Sequence, residues 1–296
     1  MKIIPLTVLA YEGPMARAYL ARLHEAGLKP AHIIELVLDH HPATKRPFPR
    51  WLPAKLRLAF CERIQQNSLL YWPKKLLSEY PWLTTSLTEA LMPFYRDIAQ
   101  TLHAISNPAP FETYADSVET ILIGSFKDDA LMRALSNLSH KAVLFTGGGI
   151  MPRQLFEIPG VHYFHVHPAH LPQIRGADGL FWSILVRGTP GVSCFYMNAG
   201  LDTGNLIAVE DLPTPIFRLP KNIIRPDDQA LYRILFSYYD PLVRADIFAR
   251  ILQKIPDISD KTLASIPSFN QNQENGVTYH FMHPRLKAEV LKKLFL

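Results

Sequence analysis

Two stretches of the chain are apolar runs, Pro5–Tyr11 (PLTVLAY) and the segment HIIELVLD after Pro30, and the strand pattern resumes with VETILIGSF at 118–126 and KAVLFT at 141–146. Runs of this length and kind predict strands buried on both faces. Between the first two, MARAYLARLHEAG places Met15, Tyr19, Leu20 and Leu23 on one helical face, with Gly27 just past its end. Between the last two, DDALMRALSNLSH repeats the helical period, and Asp128 or Asp129 can cap it. Strand, helix, strand in about 35 residues is a βαβ opening, so the expected class is α/β with an open, mostly parallel sheet. The opening lacks the G-x-G-x-x-G spacing of a dinucleotide site, which removes the nicotinamide and flavin readings.

The pattern breaks between about residues 44 and 110. Candidate helices there are interrupted by Pro47, Pro49, Pro53, Pro73, Pro81 and Pro93, and three of the four tryptophans (Trp51, Trp72, Trp82) fall among them. This stretch is expected to be a helical insertion, either a cover over the sheet or a carrier of acceptor or partner specificity. Beyond residue 207 the chain is punctuated by Pro213, Pro215, Pro220 and Pro226, then helical in pattern from about Asp227 to Ile255, and it finishes with a short strand in GVTYHFM and a basic helix. The expected division is an α/β unit over 1–210 and a mainly helical extension over 211–296.

The stretch 161–207 carries the candidate chemistry. In HYFHVH (162–167) alternation puts His165 and His167 on one face of a strand that Pro168, Leu171 and Pro172 then end. A helix, GLFWSILVRG, separates it from a second strand, GVSCFYM, whose exit loop NAGLDTG holds Asp202. A right-handed crossover would make the two strands parallel and bring both ends to the carboxyl edge of the sheet, where open α/β folds bind ligands. Three consecutive glycines in GGGIMP (147–152) follow another strand and allow a ligand close to the backbone, or simply a turn.

Composition changes this picture little. The 296 residues carry a formal charge of +5, and residues 44–110 alone hold nine Lys or Arg against four Asp or Glu, which accounts for the excess. That suits an anionic ligand weakly and a solubilising surface better, but not a nucleic-acid stripe. The two cysteines, Cys61 and Cys194, have no zinc or redox spacing. The opening MKIIPLTVLAYEG reads as a core strand rather than a signal peptide, and no apolar stretch approaches the roughly 18 residues of a spanning helix, so a cytoplasmic protein with no membrane partner is expected.

Three chemistries compete for the His, His, Asp set. The side chains could be packed structural groups; they could ligate a metal, with His162 and His170 nearby, as in a metal-dependent hydrolase; or they could perform acid, base and oxyanion work at a carbonyl.

The stretch HVHPAHLPQIRGADGLFWSILVRGTPGVSCFYMNAGLDTGNLI resembles the core of the folate-dependent formyltransferase family, which includes the glycinamide ribonucleotide, methionyl-tRNA and amino-sugar formyltransferases and formyltetrahydrofolate deformylase. The blocks that carry the resemblance are His-Pro-Ala-x-Leu-Pro-x-x-Arg-Gly and, about thirty residues on, Leu-Asp-Thr-Gly. It covers roughly 141–210, extends loosely to YEGPMARAYLARL, and touches GVTYHFMHPRL near the end; 44–110 match nothing. It implies a Rossmann-like core with His167 and Asp202 as catalytic histidine and aspartate. It further implies a pterin pocket lined by the 147–152 loop (Gly148, Ile150, Met151) and the 198–202 loop (Asn198, Gly200, Asp202), and substrate contacts from Arg175 and Gly176. N10-formyltetrahydrofolate would be the donor and the primary amine of a small molecule, such as an amino sugar nucleotide, the acceptor. Only about eighteen residues follow Tyr279, which leaves no room for the barrel of the tRNA enzymes, so no tRNA partner is expected. His165 stands where the family has its catalytic asparagine. An amide donates in any protonation state, whereas a histidine does so only as the right tautomer or as a cation, and a protonated His165 beside Asp202 would donate more strongly. Alternatives are a formyltetrahydrofolate hydrolase and a catalytically silent folate-binding or scaffold protein.

Overall fold

The computed structural model describes residues 1–296. In chain order it forms β1 (Lys2–Ala10), α1 (Pro14–Glu25), β2 (Leu28–Leu38), α2 (Ala54–Leu69), α3 (Tyr71–Glu79), α4 (Leu83–Leu91), α5 (Ile98–Ser106), β3 (Ser117–Ile123), α6 (Asp129–Ser136), β4 (Ala142–Phe145) and α7 (Arg153–Phe156). There follow β5 (His162–His167), β6 (Ile174–Gly176), α8 (Gly179–Arg187), β7 (Gly191–Tyr196), β8 (Leu206–Asp211), α9 (Asp228–Ile234), α10 (Asp240–Gln253), α11 (Asp260–Ala264), β9 (Val277–Tyr279) and α12 (Pro284–Leu294). No helix is long and apolar enough to cross a membrane.

Seven strands form one open sheet in the order β3-β2-β1-β4-β5-β7-β8. The first five run parallel, and the apolar runs of β1 and β2 lie inside that half of the sheet, whereas the edge strand β3 leaves Ser117 and Glu119 exposed. One face packs against α1 and α10, where Tyr19 and Phe248 meet edge to face, and α3, α4 and α5 of the insertion extend that apolar layer through Leu76, Leu87 and Leu102. The other face is smaller and is closed by Leu131 and Leu135 of α6 and Leu155 of α7 over Leu9, Ile34 and Phe145. Full burial of each such side chain contributes about 1.5–3 kcal/mol.

The second strand of the His/Asp stretch corrects the crossover expected from the sequence. β7 runs antiparallel to β5, pairing Ser193 with His167 and Tyr196 with Phe164. The cause is local. The Ser193 hydroxyl donates to the Ala169 carbonyl and accepts the Leu171 amide, so the start of β7 is stitched to the turn that ends β5. Helix α8, only nine residues long, does not carry the chain back to the amino edge. The GVTYHFM segment also differs in detail: its strand covers only Val277–Tyr279 and pairs parallel with β6.

The helical pattern near the C-terminus is continuous but contains a π-helical turn, Leu235–Tyr239, between α9 and α10. Pro241, in the first turn of α10, has no N–H to donate backwards, which accounts for the slip in register. Asp227 caps α9 through the Ala230 amide. Asp128 holds the N-cap position of α6, yet its carboxylate accepts the Gly124 amide instead of a helical one.

Candidate functional site

His165 and His167 project from one face of β5, as alternation requires, next to the end of β4. The Asn198–Asn205 connection leaves β7 near the amino half of β5, where the Met197 amide reaches the Tyr163 carbonyl. It nevertheless returns far enough to bring Asp202 Oδ2 within 3.7 Å of His167 Nδ1. Two devices hold that return. The Gly176 amide donates to Asp202 Oδ2 at 2.9 Å, and Gln271 Nε2 donates to the carbonyls of Asp202 and Gly204. Asp202 itself sits in the left-handed region at φ 54°.

Two of the nearby glycines have steric reasons. Gly176 has φ 90°, and a Cβ there would overlap the Tyr279 carbonyl oxygen, so glycine is what lets β9 close over β6 and present an amide to Asp202. Gly179 lies against the imidazole of His167 so closely that a Cβ would come within 2.9 Å of Nε2.

Each histidine spends one ring nitrogen on a backbone carbonyl. His165 Nδ1 donates to Phe145 O at 3.0 Å, and His167 Nε2 donates to Ile174 O at 3.0 Å. A carbonyl only accepts, so the tautomers are fixed. Burial disfavours a second proton on both rings. For His165, desolvation between Phe145 and Phe195 and then the charge of Arg244 pull the pKa down to about 4. His167 is lowered mainly by burial, against an opposing pull from Asp202. A protonated His165, one of the forms the sequence leaves open, is therefore not the form this geometry favours.

The remaining predicted residues divide. The glycines of the 147–149 loop lie just beyond β4, on whose last residue His165 is hydrogen-bonded, and Gly148 and Gly149 have open space where a side chain would stand. Ile150 is exposed, while Met151 is buried in the apolar layer with Phe145 and Leu155, so only its backbone can face a ligand. Asn198 accepts the Gly200 amide and the Thr203 hydroxyl and so shapes the second loop from within. Arg175 is 7% exposed; its guanidinium donates to Gln271, and its Nε has no partner. Burial lowers its pKa. No group of three or more His, Cys, Asp or Glu side chains is arranged to hold a metal ion.

Two residues that shape the site were not foreseen. Arg244 of α10 donates to the Val166 carbonyl from behind β5 and forms a bidentate pair with Asp240. Its sequence signal is the Asp-x-x-x-Arg spacing in an otherwise apolar helix. Gln271, buried and holding the Asp202 loop, has no signal in the sequence.

A buried histidine and an aspartate thus meet beside a strand end of an α/β sheet, next to a glycine loop. No family model matches the chain. It is similar to the methionyl-tRNA formyltransferase of Syntrophus aciditrophicus (34% identity over 91 residues, 30% of this chain and 29% of that one). It is also similar to that of Clostridioides difficile (39% over 84 residues, 27% of each chain). The chain thus spans about three tenths of the length of these curated relatives. Among solved structures it is similar to a sugar N-formyltransferase from Shewanella sp FDAARGOS_354, with 11% identity, a TM-score of 0.45, and coverage of 97% of this chain and 87% of that one. Over about three tenths of its length the chain is thus similar in sequence to formyltransferases.

Proposed function

We propose that this protein transfers a formyl group from N10-formyltetrahydrofolate to the primary amine of a small molecule. The observation that carries the reading is the His167–Asp202 pair, held by the Gly176 amide and placed beside His165 at the end of β5. The residues present fit the folate. The backbone at Gly148 and Gly149 faces open space, and the exposed Asn198–Gly200 turn offers a second polar wall for a pterin. Bound there, the folate would supply an activated formyl carbon. The chain's part is to position the amine against it and to manage one proton, which in a preorganised site accounts for most of the acceleration.

An amino sugar nucleotide suits the site as acceptor. Glu12, just beyond β1, already accepts the Gly13 amide and pairs with Arg17, so the start of α1 is not free for an acceptor's phosphate. The competing acceptor is a tRNA, the substrate for which the sequence relatives are named.

The test is calorimetric titration with a non-reactive folate analogue, followed by assay of formyl release with and without amines. Saturable binding and amine-dependent release support the reading. Release that ignores amines would make the protein a hydrolase, binding with no release a silent folate binder, and no binding would remove both folate readings.

A further inference from the structure

We propose that His165 works as a proton acceptor, taking the proton of the attacking amine on Nε2, instead of supplying the hydrogen bond that an asparagine amide would give at its position. This rests on the formyl-transfer reading above and concerns how this chain's own side chains divide the work.

Hydrogen-bond polarity decides the role. Neutral imidazole carries a single N–H, and in His165 it points at the Phe145 carbonyl. Nε2 therefore bears a lone pair; it has no protein partner, is not a sealed atom, and belongs to a half-buried ring. His167 repeats the arrangement, with its N–H spent on the Ile174 carbonyl and its Nδ1 lone pair toward Asp202. The pair and the Asp202 carboxylate thus present three acceptors and no side-chain N–H. That set is complementary to the N–H bonds of an amine and mismatched to a developing oxyanion. Between the two rings, His165 is the reachable one, since His167 is only 4% exposed.

The groups that set its basicity are few. From β5 itself there is His167, from the β7–β8 loop Asp202, and from α10 Arg244, whose charge is partly matched by Asp240. β4 and β7 bring only the Phe145 and Phe195 rings and the Phe145 carbonyl. Once protonated, His165 is an imidazolium near Asp202, which favours the cation.

The step then balances. The amine lone pair forms the new C–N bond to the formyl carbon while its N–H proton moves to His165 Nε2 and the carbonyl π pair moves to oxygen. On collapse the carbonyl reforms, the bond from the formyl carbon to N10 breaks, and His165 returns the proton to N10. The products are the formamide and the deformylated folate, and His165 ends neutral as it began. The proton taken from the amine makes His165 Nε2–H a donor only after attack, when negative charge exists to receive it.

Long-range ¹H–¹⁵N correlation spectra of the wild-type protein at pH 7 read the tautomer directly, with His165→Asn identifying the signals. Nδ1 protonated and Nε2 bare is expected; Nε2 protonated overturns the proposal. In kinetics, kcat/KM should be flat near neutral pH and fall toward low pH as His165 is protonated. His165→Asn should lose about 100-fold or more, the usual loss of a general base, and should lack that acidic limb; His165→Gln should behave likewise. Should the Asn variant match or exceed the wild type, His165 is a donor site and this inference alone fails. Absence of transfer to any amine by wild-type protein that binds N10-formyltetrahydrofolate would fail the transfer reading and this inference together.

Discussion

Replacing Glu35 with Gln should stabilise the protein near pH 8 and change it far less near pH 5. Glu35, in the carboxyl half of β2, is 3% exposed, and its only side-chain hydrogen bond is from the Thr120 hydroxyl at 3.1 Å. Burial first, then the neighbouring Glu62, raises its pKa from an ordinary 4.5 to about 7. A carboxyl whose folded pKa is raised binds its proton more tightly folded than unfolded. Its stabilising contribution is complete below about 4.5 and is lost as pH rises through about 7. At 1.36 kcal/mol per pH unit, the 2.5-unit gap amounts to about 3 kcal/mol. Gln keeps the acceptor for Thr120 and carries no charge at any pH. Urea unfolding of both proteins at pH 5 and pH 8 gives a double difference in which other titrations cancel. A variant that gains about 2.5 kcal/mol more at pH 8 than at pH 5 is expected, since part of the effect is already present at pH 5. Equal differences at the two pH values would refute the reasoning.

Asp202→Asn should keep the fold, since an amide oxygen can still accept the Gly176 N–H, while removing the charge beside His167; a loss of about 100-fold in kcat is expected by steady-state kinetics. Gly176→Ala forces a side chain into a backbone at φ 90° and against the Tyr279 carbonyl, and should cost about 1–3 kcal/mol, seen as a lowered Tm together with a displaced Asp202 loop and a lower rate.

The parallel half of the sheet was readable because strands buried on both faces must be continuously apolar, and PLTVLAY and HIIELVLD are. The histidine pair was readable for the same reason of period: two residues apart on a strand share a face. The direction of β7 was not, because it depends on one serine hydroxyl stitching Ser193 to Ala169 and Leu171, a contact with no period. Arg244 and Gln271 were missed because they act on the site from distant elements and look in sequence like ordinary helix and loop residues. The tautomer of His165 needed the position of the Phe145 carbonyl, which lies twenty residues away on β4. The asparagine-to-histidine departure was visible in the sequence; that it reverses the polarity of the group was not.

The most direct test of formyl transfer is single-turnover reaction of the wild-type protein with N10-formyltetrahydrofolate carrying a labelled formyl group and a panel of amino sugar nucleotides and simple amines, with products separated by mass. Transfer predicts label in a formamide of at least one small amine, appearing about 100-fold more slowly in Asp202→Asn. Label appearing only as formate whatever amine is present, or remaining on the folate while the folate stays bound, would contradict it.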